Sequence, residues 1–219
     1  GAAAVTMVLN VIALWKQEAR QPSKTRPERE TPSFSQSWAA YREDPRSLRL
    51  LVAVGMGTLG FSMQDVLLEP YGGEVLGLTV SQTTLLTAMF AAGTLFGFAL
   101  AGRSLGKGRD PYRMAAHGTM AGIAAFTCVI FAGPLESAGL FRLGTALIGF
   151  GGGLFAVGTL TACMEMADSA GDGAGSGLAL GAWGAVQASA VGIGLAAGGI
   201  IRDMVAALSN SGAFGSAFT

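Results

Sequence analysis

The chain has 219 residues, 51% of them hydrophobic and 13% charged, where an average soluble domain is about a quarter charged. Fourteen Lys and Arg balance fourteen Asp and Glu, so there is no net charge to draw the chain to nucleic acid. Formal charge is absent from residues 75–102, 114–135, 143–164 and 173–201, each long enough to cross the hydrocarbon layer, for which about 20 apolar residues suffice. None of the four shows the polar stripe of a soluble helix, which argues against a soluble domain and for an all-α, polytopic membrane bundle.

In chain order, residues 1–15 read as the end of a transmembrane helix, closed by Trp15 and Lys16 at headgroup level. The chain starts without Met inside this hydrophobic segment, and the expectation is a fragment cut at both ends. Residues 16–47 form a polar linker in which Pro22, Pro27, Pro32 and Pro45 bar one continuous helix. Within it, Phe34, Trp38 and Tyr41 recur at i, i+4 and i+7, one face of a short helix from about Thr31-Pro32 to Asp44-Pro45. That face suits the membrane surface, a partner, or the helix's own domain.

Residues 48–201 hold five spans. The first, about 48–68, is expected to end in a turn at Pro70 and Gly72-Gly73. The others cover about 80–101, 114–132, 140–163 and 175–201, and residues 202–219 are expected to start an outside loop. Twelve of the fourteen cations lie in the linker, the start of the first span and the 102–113 loop; only Arg142 and Arg202 lie elsewhere. By the positive-inside rule the linker and the 102–113 loop face the cytoplasm.

Small-xxx-small pairs recur in the spans, among them Gly93/Gly97, Gly118/Gly122 and Gly177/Gly181, which let helix backbones approach closely. Cys128 and Cys163 fall inside spans and read as small apolar residues. Gly151-Gly152-Gly153 looks like part of a dinucleotide fingerprint, but it has no strand before it and lies within a span.

The densest polar cluster is Gln64-Asp65-Val66-Leu67-Leu68-Glu69-Pro70-Tyr71-Gly72-Gly73. On a helix, Asp65 and Glu69 stand one turn apart on one face with Gln64 beside them. Carboxylates so near hydrocarbon either face a cavity or partner, where they can serve as a proton site, or sit solvated at the outer headgroups.

The run from Gly60 to Ala88, with the unusual string Gln64 to Gly73 followed by Val75-Leu76-Gly77-Leu78-Thr79-Val80-Ser81-Gln82, resembles the bacteriochlorophyll-delivery (PucC/LhaA-type) family of the major facilitator superfamily. The resemblance extends over the whole chain. It implies a major-facilitator-like C-terminal half, about helices six to eleven, with residues 16–47 as the central cytoplasmic linker. Transporters of that superfamily often carry a Gly-x-x-x-Asp-Arg-x-Gly-Arg-Arg loop; here the loop reads Gly102-Arg103-Ser104-Leu105-Gly106-Lys107-Gly108-Arg109, without the Asp, which counts against a rocking transporter.

The resemblance implies a non-enzymatic assembly factor of the bacterial cytoplasmic or intracytoplasmic membrane that helps deliver or insert bacteriochlorophyll into light-harvesting antenna polypeptides. Bacteriochlorophyll would be cargo; no covalent cofactor and no metal site of the protein's own are expected. The competing expectation is a proton-coupled secondary transporter acting through Asp65 or Glu69. A pigment carrier needs a ligand for magnesium and a flat apolar wall. His117, the only histidine, can ligate or hydrogen-bond between helices. Gln187 can do either as well, with Trp183 one turn earlier as a stacking wall.

Overall fold

A computed structural model describes residues 7–8, 11–12, 34–169 and 173–210. The chain divides into two units, residues 1–33 and 34–219. In the first, residues 7–8 and 11–12 are helical. The rest of the expected 1–15 span, linker residues 16–33 and the tail from 211 lie outside the described residues.

The second unit contains α1 (Phe34–Glu43), α2 (Pro45–Met63), a 3₁₀ turn (Gln64–Val66), α3 (Leu68–Glu74), α4 (Val80–Leu105), α5 (Pro111–Ala132), α6 (Ala138–Ser169) and α7 (Gly173–Asn210). No strand occurs among the described residues. Five stretches are long and apolar enough to cross a membrane: α2 to α3 together, α4, α5, α6 and α7. The protein is a polytopic helical bundle.

Helix starts follow local chemistry. Asp44 and Asp110 each precede a proline at the first helical position. Each carboxylate accepts the backbone N–H two residues on, at 3.0 Å from Arg46 and 2.8 Å from Tyr112. Asp44 also accepts from Ser47 Oγ at 3.0 Å. Thr79 and Gln82 form a reciprocal capping box at the start of α4.

Two boundaries differ from expectation. Pro70 and Gly72-Gly73 are helical, within α3, and the reversal lies at 75–79, where Gly77 takes a positive φ of 60°. A proline near the start of a new helix forfeits no intrahelical bond, so it restarts the helix instead of ending it. The helix expected to end near Ile201 continues to Asn210, so Arg202 lies on α7 and not in a loop. One cation and one acid, Arg202 and Asp203, do not outweigh the apolar residues that carry the helix onward.

α6 is the centre of the bundle. It packs against α4 on one side and α5 on the other, while α2 pairs with α7. A Cβ on Gly118 would stand 2.6 Å from Gly151 O, and one on Gly97 would stand 2.5 Å from Phe150 O, so these backbones touch directly. Gly93 meets the Ala146 carbonyl in the same way, and Gly122 holds the Phe61 ring. Gly177 and Gly181 differ: a Cβ on either would meet nothing within 4 Å, because that face of α7 turns away from the other helices. On α7 the closely packed pair is Gly194 and Gly198, against Leu59 and Met63 of α2.

Candidate functional site

The site grows from one proline. An unbroken helix would bring the Pro70 ring against the Val66 carbonyl and lack the N–H to bond it. The chain avoids both by tightening into the 3₁₀ turn, where Leu67 N bonds Gln64 O at 2.9 Å, and restarting so that Tyr71 N bonds Leu67 O at 3.0 Å. Three residues per turn in place of 3.6 changes the register of the side chains.

Asp65 and Glu69 therefore do not act as a pair. Glu69 turns to α4 and accepts from Thr87 Oγ1 at 3.1 Å. Asp65 lines an inner cavity of about 220 Å³ between α2, α4, α6 and α7. Gln187 lines the same cavity, a juxtaposition of residues 122 positions apart that spacing does not reveal. Thr58 lines it too; it is buried, and its Oγ1 has no hydrogen-bond partner among the described residues.

Gln64 faces the other way. It lines an outer groove of about 890 Å³ formed by the 60–75 segment, α5 and α7. Tyr71 and Phe126 supply aromatic walls, Val205 an aliphatic one, and Glu74 and Arg202 its charges. Tyr71 is steadied by Phe141, whose ring centroid lies 5.6 Å away. Gln64 is only 6% exposed. Its Nε2 donates to Asp65 Oδ1, while its Oε1 is buried without a partner among the described residues. An unpaired buried carbonyl oxygen costs about 1–3 kcal/mol.

The remaining candidates lie elsewhere. His117 lines a cavity of about 290 Å³ with Arg109, Asp110, Arg113 and Met114, at the opposite end of the bundle from Gln64. Trp183 donates its indole N–H to Thr159 Oγ1 at 3.3 Å and packs against the Leu50, Val54, Ala162 and Cys163 core. Its ring is thus part of the α2–α6–α7 core, apart from the cavity that Gln187 lines.

A fourth cavity, about 620 Å³, lies between α2 and α7, with Trp38 and Arg42 of α1 among its lining residues. This is where the amphipathic helix places its tryptophan; the side chains of Phe34 and Tyr41 lie outside the described residues. Sequence reasoning missed Arg202, Phe126 and Thr58. Arg202 was the one with a signal, as a lone cation continuing an apolar helix.

All 219 residues match the family described as PUCC protein. The chain is 51% identical over 208 residues to the protein PucC of Rhodovulum sulfidophilum, covering 94% of this chain and 45% of the relative. It is 48% identical to the protein PucC of Cereibacter sphaeroides, over 98% of this chain and 46% of that protein. A more distant relative, the bacteriochlorophyll synthase 44.5 kDa chain of Rhodobacter capsulatus, is 30% identical over 97% of this chain and 50% of its own length. The chain thus spans about half the length of these curated relatives, and no solved structure matches it. On the match along its entire length, the chain belongs to the PUCC protein family.

Proposed function

We propose that this chain is part of a membrane assembly factor that supplies bacteriochlorophyll to light-harvesting antenna polypeptides, with the 106–110 loop on the cytoplasmic side of a bacterial inner or intracytoplasmic membrane. Family membership and the printed name of the bacteriochlorophyll synthase relative support the pigment. The observation that carries the reading is the outer groove. At about 890 Å³ it falls near the top of the range of about 300–1,000 Å³ typical of small-molecule sites, and like them it has apolar walls and few polar groups. A major-facilitator-like arrangement of the whole protein is part of the same reading.

The test is deletion and complementation in a pigment-making host. Near-infrared antenna absorbance should fall in the deletion strain and return with the wild-type gene, and the purified full-length protein should carry bacteriochlorophyll. Normal antenna absorbance in the deletion strain would overturn the proposal.

A second reading, proton-coupled transport, draws on the inner cavity, where Asp65 shares a surface with Gln187 and the unpartnered Thr58 hydroxyl. Asp65→Asn keeps hydrogen bonding and removes titration. An assembly factor should retain much of its antenna yield with Asn and lose it with Asp65→Leu. A coupled transporter should lose function with Asn alone.

A further inference from the structure

We propose that Arg109, Arg113 and His117 form a site for the phosphate headgroup of an anionic phospholipid at the basic end of the bundle. The site does not depend on the pigment reading above.

Charge is the first ground. Asp110 is the one acid between residues 75 and 135, against the four cations Arg103, Lys107, Arg109 and Arg113. Two of these, Arg109 and Arg113, line a single cavity of about 290 Å³ with Asp110, Met114 and His117. The Asp110 carboxylate is largely committed. Its Oδ1 accepts the Tyr112 N–H at 2.8 Å, and its Oδ2 stands 3.9 Å from Arg113 Nε. Two guanidiniums against one carboxylate leave the cavity net positive. Among the described residues, neither the Arg109 guanidinium nor the His117 imidazole has a hydrogen bond or ion pair.

Access is the second. Arg109 and His117 are exposed, and the Arg113 side chain is 84% exposed, so an anion can meet all three as they stand. A guanidinium presents paired N–H groups that match two oxygens of a phosphate. An imidazole carries an N–H donor in either protonation state.

Depth is the third. α5 starts at Pro111 and is apolar enough to cross a membrane. Arg109 and Arg113 therefore stand where the helix enters hydrocarbon, and His117 lies one turn within. Beyond His117 the same face continues with Met120 and Ala124, both exposed, at steps of three and four residues. Apolar surface directly beneath a cationic cavity matches a phospholipid, with its chains below its phosphate; a free phosphate has no use for it. A zwitterionic headgroup brings its own cation, which the net positive cavity repels.

The test uses the full-length protein in detergent, incubated with equimolar dioleoylphosphatidylglycerol and dioleoylphosphatidylcholine. Native mass spectrometry reads which lipid is retained. The wild-type protein should prefer the phosphatidylglycerol. Arg109→Gln and Arg113→Gln should each lower that preference about fivefold. His117→Leu, which removes a donor without a formal charge, should lower it by a smaller factor. Arg103 and Lys107 are not among the residues lining the cavity, so the double variant Arg103→Gln/Lys107→Gln is the charge-matched control and should stay near wild type. Glycerophosphoglycerol, the same headgroup without chains, and inorganic phosphate should compete only weakly.

Equal losses in Arg103→Gln/Lys107→Gln and Arg109→Gln/Arg113→Gln would reduce the effect to diffuse attraction and remove the site. A wild-type protein without the preference would do the same. Displacement of the lipid by equimolar inorganic phosphate would assign the cavity to a free anion and overturn the lipid. An unchanged preference in His117→Leu would strike His117 from the site. Thermal stability in detergent should be unchanged in every variant, because these side chains are exposed. Preference lost only together with stability would make the arginines structural.

Discussion

The α4–α5–α6 group and the α2–α7 pair are built from the same kinds of residue and pack differently. In the first, Gly93, Gly97, Gly118, Gly149, Gly151 and Gly153 bring backbones into direct contact across α6. In the second, α2 and α7 meet closely at Gly194 and Gly198 but leave cavities on either side. Of the most apolar stretch of α6, 56% is buried, against 11% for α7. The close-packed group leaves no gap between backbones, and the looser pair leaves open volume beside it. Pro70 adds to that room by turning two adjacent side chains, Gln64 and Asp65, into separate cavities.

Substitution at glycine is the largest way to break this contrast. Gly118→Leu must push against Gly151 O and Phe155 N, which are backbone atoms and cannot rotate away. The cost should lie at the top of the about 1–3 kcal/mol range for overpacking, seen as lost detergent stability. Gly177→Leu or Gly181→Leu, facing open space, should stay within about 0.5 kcal/mol. Equal destabilisation of Gly118→Leu and Gly177→Leu would erase the distinction between the two groups.

A smaller effect sharpens it. Trp183→Phe keeps the ring in the α2–α6–α7 core and loses the bond to Thr159, so it should cost about 1 kcal/mol of thermal stability. Bound pigment should be unaffected; a shifted pigment band would return Trp183 to a stacking role.

The smallest effect lies at the start of α2. The Arg46 amide, with the Ser47 hydroxyl, holds the Asp44 carboxyl below its ordinary value of 3.8. The folded state therefore holds the proton less readily than the unfolded one. This contribution is complete above the ordinary carboxylate range and is lost as pH falls through the lowered value. Faster hydrogen exchange at the Arg46 and Ser47 amides should mark that fall. Asp44→Asn, which caps without titrating, should flatten the dependence.

The spans, their number and the basic end were legible because each rests on composition over about 20 residues. The Gln64–Gly73 segment was legible as a cluster, yet its geometry was not. One-face placement of Asp65 and Glu69 assumes 3.6 residues per turn, and the 3₁₀ turn that Pro70 induces breaks that assumption. Gly177/Gly181 and Gly93/Gly97 share one spacing, and nothing in that spacing says which pair meets a neighbour. The same limit applied to Trp183 and Gln187: one turn apart on α7, they serve a core and a cavity respectively. Local periodicity reports a face, whereas the identity of what covers it depends on helices far away in the chain.

The central place of α6 also sets an order of events. α4 and α5 are joined by the short 106–110 segment, yet each packs chiefly on α6 and scarcely on the other. A ribosome delivers them first, at about 5–20 residues per second, so a hairpin of two helices waits in the bilayer with its glycine-lined faces toward lipid. Lipid tails compete poorly for such narrow, flat surfaces once a helix of matching shape arrives. Synthesis of residues 138–169 is then the step that closes the α4–α5–α6 group, before α7 arrives to pair with α2, and a chain that ends before Ala138 should remain open to lipid-soluble labels at Gly97 and Gly118.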